Sequence, residues 1–90
     1  MNDTISTYNG WSNRETWLAS LWLNNDPANY SLLTEATELD ASNFEKAEWL
    51  ESQLTVDMYD LGIEASLWSD LISTAFARVN WCEVIENNQD

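Results

Sequence analysis

Ninety residues suffice for one domain with a modest core, and 44% of them are hydrophobic. Sixteen acidic residues face three basic ones, a net charge of −13 that repels nucleic acid and anionic membranes and favours basic protein surfaces. The absence of histidine excludes a Ser-His-Asp triad, a Cys-His pair, a zinc metalloprotease motif and a Glu-x-x-His di-iron site, and the single cysteine excludes an internal disulfide.

In chain order, residues 1–9 lack apolar periodicity and read as a flexible arm, followed by one helical domain over 10–87 and a tail at 88–90 that is expected to fray. Ser12 with Glu15 has capping-box spacing at the first helix start, and Asn13 is the alternative cap. Trp17, Leu18, Leu21 and Trp22 then fall within about 140° of one another and are expected to face the core, with Leu23 on the far side. Asp26 before Pro27 is an N-cap followed by proline at the first helical position, where its missing N–H costs nothing. Tyr30, Leu33, Ala36 and Thr37 mark the inner side of this second helix. Residues 39–42 make a turn, and Ser42 with Glu45 forms a second capping box.

A third helix is expected from about Asn43 to Leu61, ending at Gly62, which adopts a left-handed cap without steric cost. Phe44, Ala47, Leu50, Leu54, Met58 and Leu61 form one stripe, while Trp49, Val56 and Tyr59 gather on a nearly opposite side. Such a helix is central in its domain, covered by a second subunit, or broken near Thr55. The fourth helix, about Glu64 to Val79, offers Leu67, Trp68, Leu71, Ile72, Ala75 and Val79 to the core, with Phe76 at the edge. Asn80 with Glu83 starts a short fifth helix whose apolar side is Trp81, Val84 and Ile85. The expected fold is all-α: a single compact bundle of four to five helices with a tryptophan-rich core.

Catalytic chemistry finds little material. Gly10 and Gly62 stand alone, so no phosphate-cradling loop exists, and Lys46 is the sole lysine. Cys82 lies among apolar neighbours beside Glu83, a setting for packing rather than nucleophilic attack. Glu45, Glu48 and Glu51 climb one helix at steps of about 4.5 Å in rise, but spaced glutamates of this kind make a solvated face, and Asp57, Asp60 and Glu64 do not match an EF-hand loop. No cofactor and no metal is expected. Arg14 falls in the first helix's apolar stripe, where it pairs with a carboxylate or stacks on tryptophan. No segment approaches 18 consecutive apolar residues and no basic, apolar leader opens the chain, so a cytoplasmic location is expected.

The stretch YNGWSNRETW from Tyr8, continuing into LASLWLNND, resembles the opening of a family of small uncharacterised phage and bacterial proteins, and DLISTAFARVNWCEVIE is similar to that family's carboxy-terminal pattern. The resemblance covers both ends and leaves residues 28–63 largely unmatched. It implies a helical fold in which Trp17, Trp22 and Trp81 share a core, and a phage or mobile-element setting with the host cytoplasm as location. It implies no activity.

Charge therefore supplies the functional expectation: a non-enzymatic protein that inhibits a host nucleic-acid-binding defence protein by presenting carboxylates in place of phosphates, as anti-restriction and anti-CRISPR proteins do. The candidate contact residues are Glu35, Glu38, Glu45, Glu48, Glu51, Asp57 and Asp60, because they cluster in the middle of the chain away from both motifs. The alternative is an oligomerising structural or adaptor protein, a homodimer among the options, that binds through Trp49, Val56 and Tyr59.

Overall fold

The computed structural model describes residues 9–60, 62 and 67–89. Among them are five helices, α1 (Arg14–Asn25), α2 (Pro27–Thr37), α3 (Asn43–Asp60), α4 (Leu67–Arg78) and α5 (Trp81–Asn88), and no strand. The all-α bundle is as expected from periodicity. Residues 1–8 of the expected arm, Leu61, the residues 63–66 that include the expected start of the fourth helix, and Asp90 lie outside the described residues.

Local chemistry sets the helix ends. Asn13 is the cap of α1, its side-chain oxygen accepting the Thr16 backbone N–H at 2.8 Å. The Ser12–Glu15 box does not form: Ser12 donates its backbone N–H to the Glu83 carboxylate at 3.2 Å, and Glu15 accepts from Arg78 Nε at 3.1 Å. Asp26 caps α2 by accepting the Asn29 N–H, with Pro27 at the first position. The Ser42–Glu45 box closes reciprocally: Ser42 N–H donates to Glu45 Oε1 at 3.0 Å, and Ser42 Oγ accepts the Glu45 N–H at 3.1 Å. Asn80 caps α5 through the Glu83 N–H. Beyond α3, Gly62 has φ +80°, the left-handed value that glycine alone adopts cheaply, and its N–H donates to the Tyr59 carbonyl at 2.9 Å.

The core is aliphatic. Leu23, Leu33, Ala36, Ala47, Leu50, Val84 and Ile85 are buried together with Trp81, and Leu54, Trp49, Phe76 and Cys82 pack against them. The short α5 lies against α1, α2 and α3, so the bundle closes around its Val84 and Ile85. Trp81 is held by an edge-to-face contact with Phe76, ring centroids 5.4 Å apart, and donates Nε1–H to the Phe76 carbonyl at 3.3 Å.

Two expectations about faces, those of α1 and α4, need correction. On α1 the buried residues are Thr16, Ser20 and Leu23, whereas Leu18, Leu21 and Trp22 are exposed, so Trp22 does not share the core of Trp81. The cause is a polar seam. Thr16 Oγ1 donates to Asn13 Oδ1 at 2.7 Å and accepts the Asn80 backbone N–H at 2.8 Å. Asn13 Nδ2 donates to the Arg78 carbonyl at 2.7 Å, and Asn24 Nδ2 donates to the Ser20 carbonyl at 2.8 Å and to Asn88 Oδ1 at 3.1 Å. With their polar atoms satisfied, Thr16 and Ser20 occupy the interior, and Leu18, Leu21 and Trp22 face outward.

On α4 no residue is buried: Leu67, Trp68 and Leu71 are 67%, 65% and 52% exposed, and Ile72, Phe76 and the following Val79 reach the core only in part. Asn88 and Gln89, near the end of the chain, make side-chain hydrogen bonds. Asn88 Nδ2 donates to the Val84 carbonyl, Gln89 Nε2 donates to Asn43 Oδ1 at 2.7 Å, and Gln89 Oε1 accepts from Lys46 Nζ at 3.0 Å.

Candidate functional site

The central carboxylates sit where α2 and α3 face solvent. Glu35 and Glu38 are exposed on the last turns of α2, and Glu45, Glu48, Asp57 and Asp60 are exposed along α3. Glu51 is half-buried, in a shallow groove with Thr55, Met58 and Tyr59 opposite Ile72 and Phe76 of α4. At about 100° per residue, Glu45, Glu48 and Asp60 share the outward half of α3, and Glu51 and Asp57 lie on its two flanks. The acidic residues thus wrap the helix instead of forming a single edge. Among the described residues, Glu35, Glu38, Glu48, Glu51, Asp57 and Asp60 have no cationic side chain in ion-pair contact.

The basic residues are placed elsewhere. Lys46 Nζ donates to the Thr37 carbonyl at 2.8 Å as well as to Gln89, so it satisfies an unpaired carbonyl at the end of α2. Arg78 pairs with Glu15 at the surface, where such a pair contributes at most about 1 kcal/mol. Arg14 is exposed beside Leu18 and Leu21, without a carboxylate or ring contact among the described residues.

Glu45 differs from its neighbours in having a task. The Ser42 backbone N–H first, and then the Ser42 hydroxyl, holds its carboxyl below the ordinary value of 4.5. A depressed folded value means that the charged cap stabilises the fold fully above the ordinary value, and that this contribution disappears as pH falls through the folded one. Glu45→Gln keeps the hydrogen-bond geometry and removes the titration. Its melting temperature is expected to lie below that of the parent at pH 7, with the gap closing as pH drops below 4.5. A gap that stays constant across a thermal-melt pH series would show that the charge of Glu45 plays no part in the cap.

The apolar trio on α3 divides. Val56 and Tyr59 are exposed, while Trp49 is half-buried and packs against the core. The larger apolar surface was missed in the sequence. Between α1 and α4 runs a mainly apolar groove of about 230 Å³, walled by Leu18 and Trp22 on one side and Ala75 and Phe76 on the other, with Val79 and Trp81 closing it and Glu15 also in its lining. One signal was available: the apolar arc expected for the fourth helix, Leu67 to Val79, is wider than one buried stripe requires. Among the described residues no three His, Cys, Asp or Glu side chains come together to hold a metal ion, and no helix is long and apolar enough to cross a membrane.

These features define a small all-α bundle with exposed carboxylates along α2 and α3 and an apolar groove between α1 and α4. The chain belongs to a family of unknown function (DUF7249), whose model matches residues 4–88 and so spans both tryptophan-containing ends. No curated protein matches the chain significantly, and no solved structure does.

Proposed function

We propose that the chain is a non-enzymatic acidic binding domain that engages a basic protein surface through the carboxylates of α2 and α3. One observation carries this reading: the exposed carboxylates of these helices lack cationic partners among the described residues, because Lys46 is committed to Thr37 and Gln89 and Arg78 to Glu15. A surface so uncompensated attracts cationic partners over a distance and repels like-charged ones. The partner class that fits is a nucleic-acid-binding protein, whose basic groove accepts carboxylates where phosphates normally lie. A phage-encoded inhibitor of host defence, of the anti-restriction or anti-CRISPR kind, is the biological form of this reading.

The test is displacement. The full chain is titrated into restriction endonucleases and CRISPR effectors bound to labelled duplex DNA, and release is followed by fluorescence anisotropy at about 50 and 200 mM salt. Release from at least one target is expected, weakening at least about tenfold at the higher salt, because the attraction is screened. A variant carrying Glu35→Gln, Glu38→Gln, Glu48→Gln, Asp57→Asn and Asp60→Asn is expected to keep its helical circular dichroism and lose the activity. Failure to displace DNA from every target, or a neutralised variant as potent as the parent, would overturn the proposal.

A further inference from the structure

We infer that the α1–α4 face is a self-association surface, covered by a second copy of this chain. It rests on observations separate from the acidic face. First, α4 is a twelve-residue helix that buries none of its residues, and isolated helices shorter than about 12–15 residues are marginal in water. Its packing against the other described residues is therefore incomplete.

Second, the exposed apolar residues are continuous. Leu71 and Trp68 lie one and two turns before Ala75 on the same flank of α4, so they prolong the groove that Leu18 and Trp22 wall from α1. The exposed parts of Leu18, Leu21, Trp22, Leu67, Trp68 and Leu71 amount to on the order of 600 Å². A standard interface buries about 800 Å² per partner, so the face has the area a stable dimer needs once a polar rim is added.

Third, charge selects the occupant. Arg14 and Arg78, two of the chain's three basic residues, border this face together with Glu15, which pairs with Arg78, and Asp70, exposed on α4 beside Leu71, so its charges balance. A balanced face gives a basic segment none of the attraction that the α2 and α3 carboxylates offer. Two copies meeting here bring together the least acidic surfaces of a chain with net charge −13 and keep the α2 and α3 carboxylates out of the contact. The contact is mainly apolar and opposed by net repulsion, so salt strengthens it.

Sedimentation equilibrium of the full chain at about 100 µM is expected to give twice the 10.4 kDa chain mass, with a tighter dimer at high than at low sodium chloride. Leu71→Glu and Arg14→Glu, both at exposed positions, are each expected to raise the dissociation constant at least tenfold with helical circular dichroism unchanged, while Tyr59→Glu leaves it as it was. A monomer at every salt concentration would overturn the inference and leave the groove to a different chain. So would a dimer insensitive to Leu71→Glu, one lost in Tyr59→Glu, or one that dissociates as salt rises. The DNA displacement assay reads the other surface, so either proposal can fail alone.

Discussion

Leu50→Ala is expected to lower the melting temperature by at least about 10 °C, the larger of two effects expected from single substitutions. Leu50 is fully buried among Leu33, Val84 and Ile85, at the junction of α3 with α2 and α5. Truncation there loses the transfer free energy of the removed carbons and leaves a cavity, together about 2–5 kcal/mol. Native domains have only about 5–15 kcal/mol of net stability, and a chain of this length belongs toward the lower end. In domains of 60–100 residues each kcal/mol moves the melting temperature by about 4–8 °C. The control is Val56→Ala, at an exposed position of the same helix, which should stay within about 0.5 kcal/mol of the parent. Urea midpoints that move equally for both variants would show that the core does not lie where Leu50 is.

The second large effect concerns a hydroxyl. Thr16→Val preserves the shape of a fully buried side chain but removes the oxygen that accepts the Asn80 N–H and donates to Asn13. A donor left unsatisfied in that position costs about 1–3 kcal/mol, so the melting temperature should fall by roughly 5–20 °C. Thr16→Ser keeps the hydroxyl and loses one methyl, about 0.8 kcal/mol. The serine variant is therefore expected to be the more stable of the two. If valine proved equal to or better than serine, the polar seam would contribute nothing beyond packing.

This pair of residues also shows what the sequence could and could not disclose. Helix boundaries were legible because they depend on neighbours in the chain: Asp26 with Pro27, Ser42 with Glu45, Asn80 with the Glu83 N–H, and Gly62 past α3 all act within three residues. The inner faces of α2, α3 and α5 were legible beyond the first turns: Leu33, Ala36, Ala47, Leu50, Val84 and Ile85 are buried, whereas Tyr30 and Phe44, expected on the same faces near the starts of α2 and α3, are 53% and 63% exposed. On α1 and α4 the rule that apolar residues face inward failed. Thr16 and Ser20 are interior because their partners come from more than sixty residues away, or from one helical turn within α1, and no local pattern announces such partners. Trp22 is displaced outward as a result and walls the apolar groove between α1 and α4. The carboxylates of α2 and α3 were readable as solvent-exposed, but the commitment of Lys46 to Thr37 and Gln89 was not, because it joins three separate parts of the chain.

The seam between α1 and the residues around α5 has a consequence for the order in which the molecule assembles. Its contacts pair Ser12 with Glu83, Asn13 with Arg78, Thr16 with Asn80 and Asn24 with Asn88, each across more than sixty positions. The polar side of α1 cannot be satisfied by protein until residues 78–88 have been synthesised and brought back, so α1 and α2, although first to emerge from the ribosome, must wait in water for the last helix. Closing so long a loop costs only slightly more than closing one of half the length, about 0.6 kcal/mol per doubling, but it delays the contact that completes the interior. A nascent chain halted at Arg78 therefore lacks the Asn80, Glu83 and Asn88 partners of α1 and the Val84 and Ile85 that complete the core.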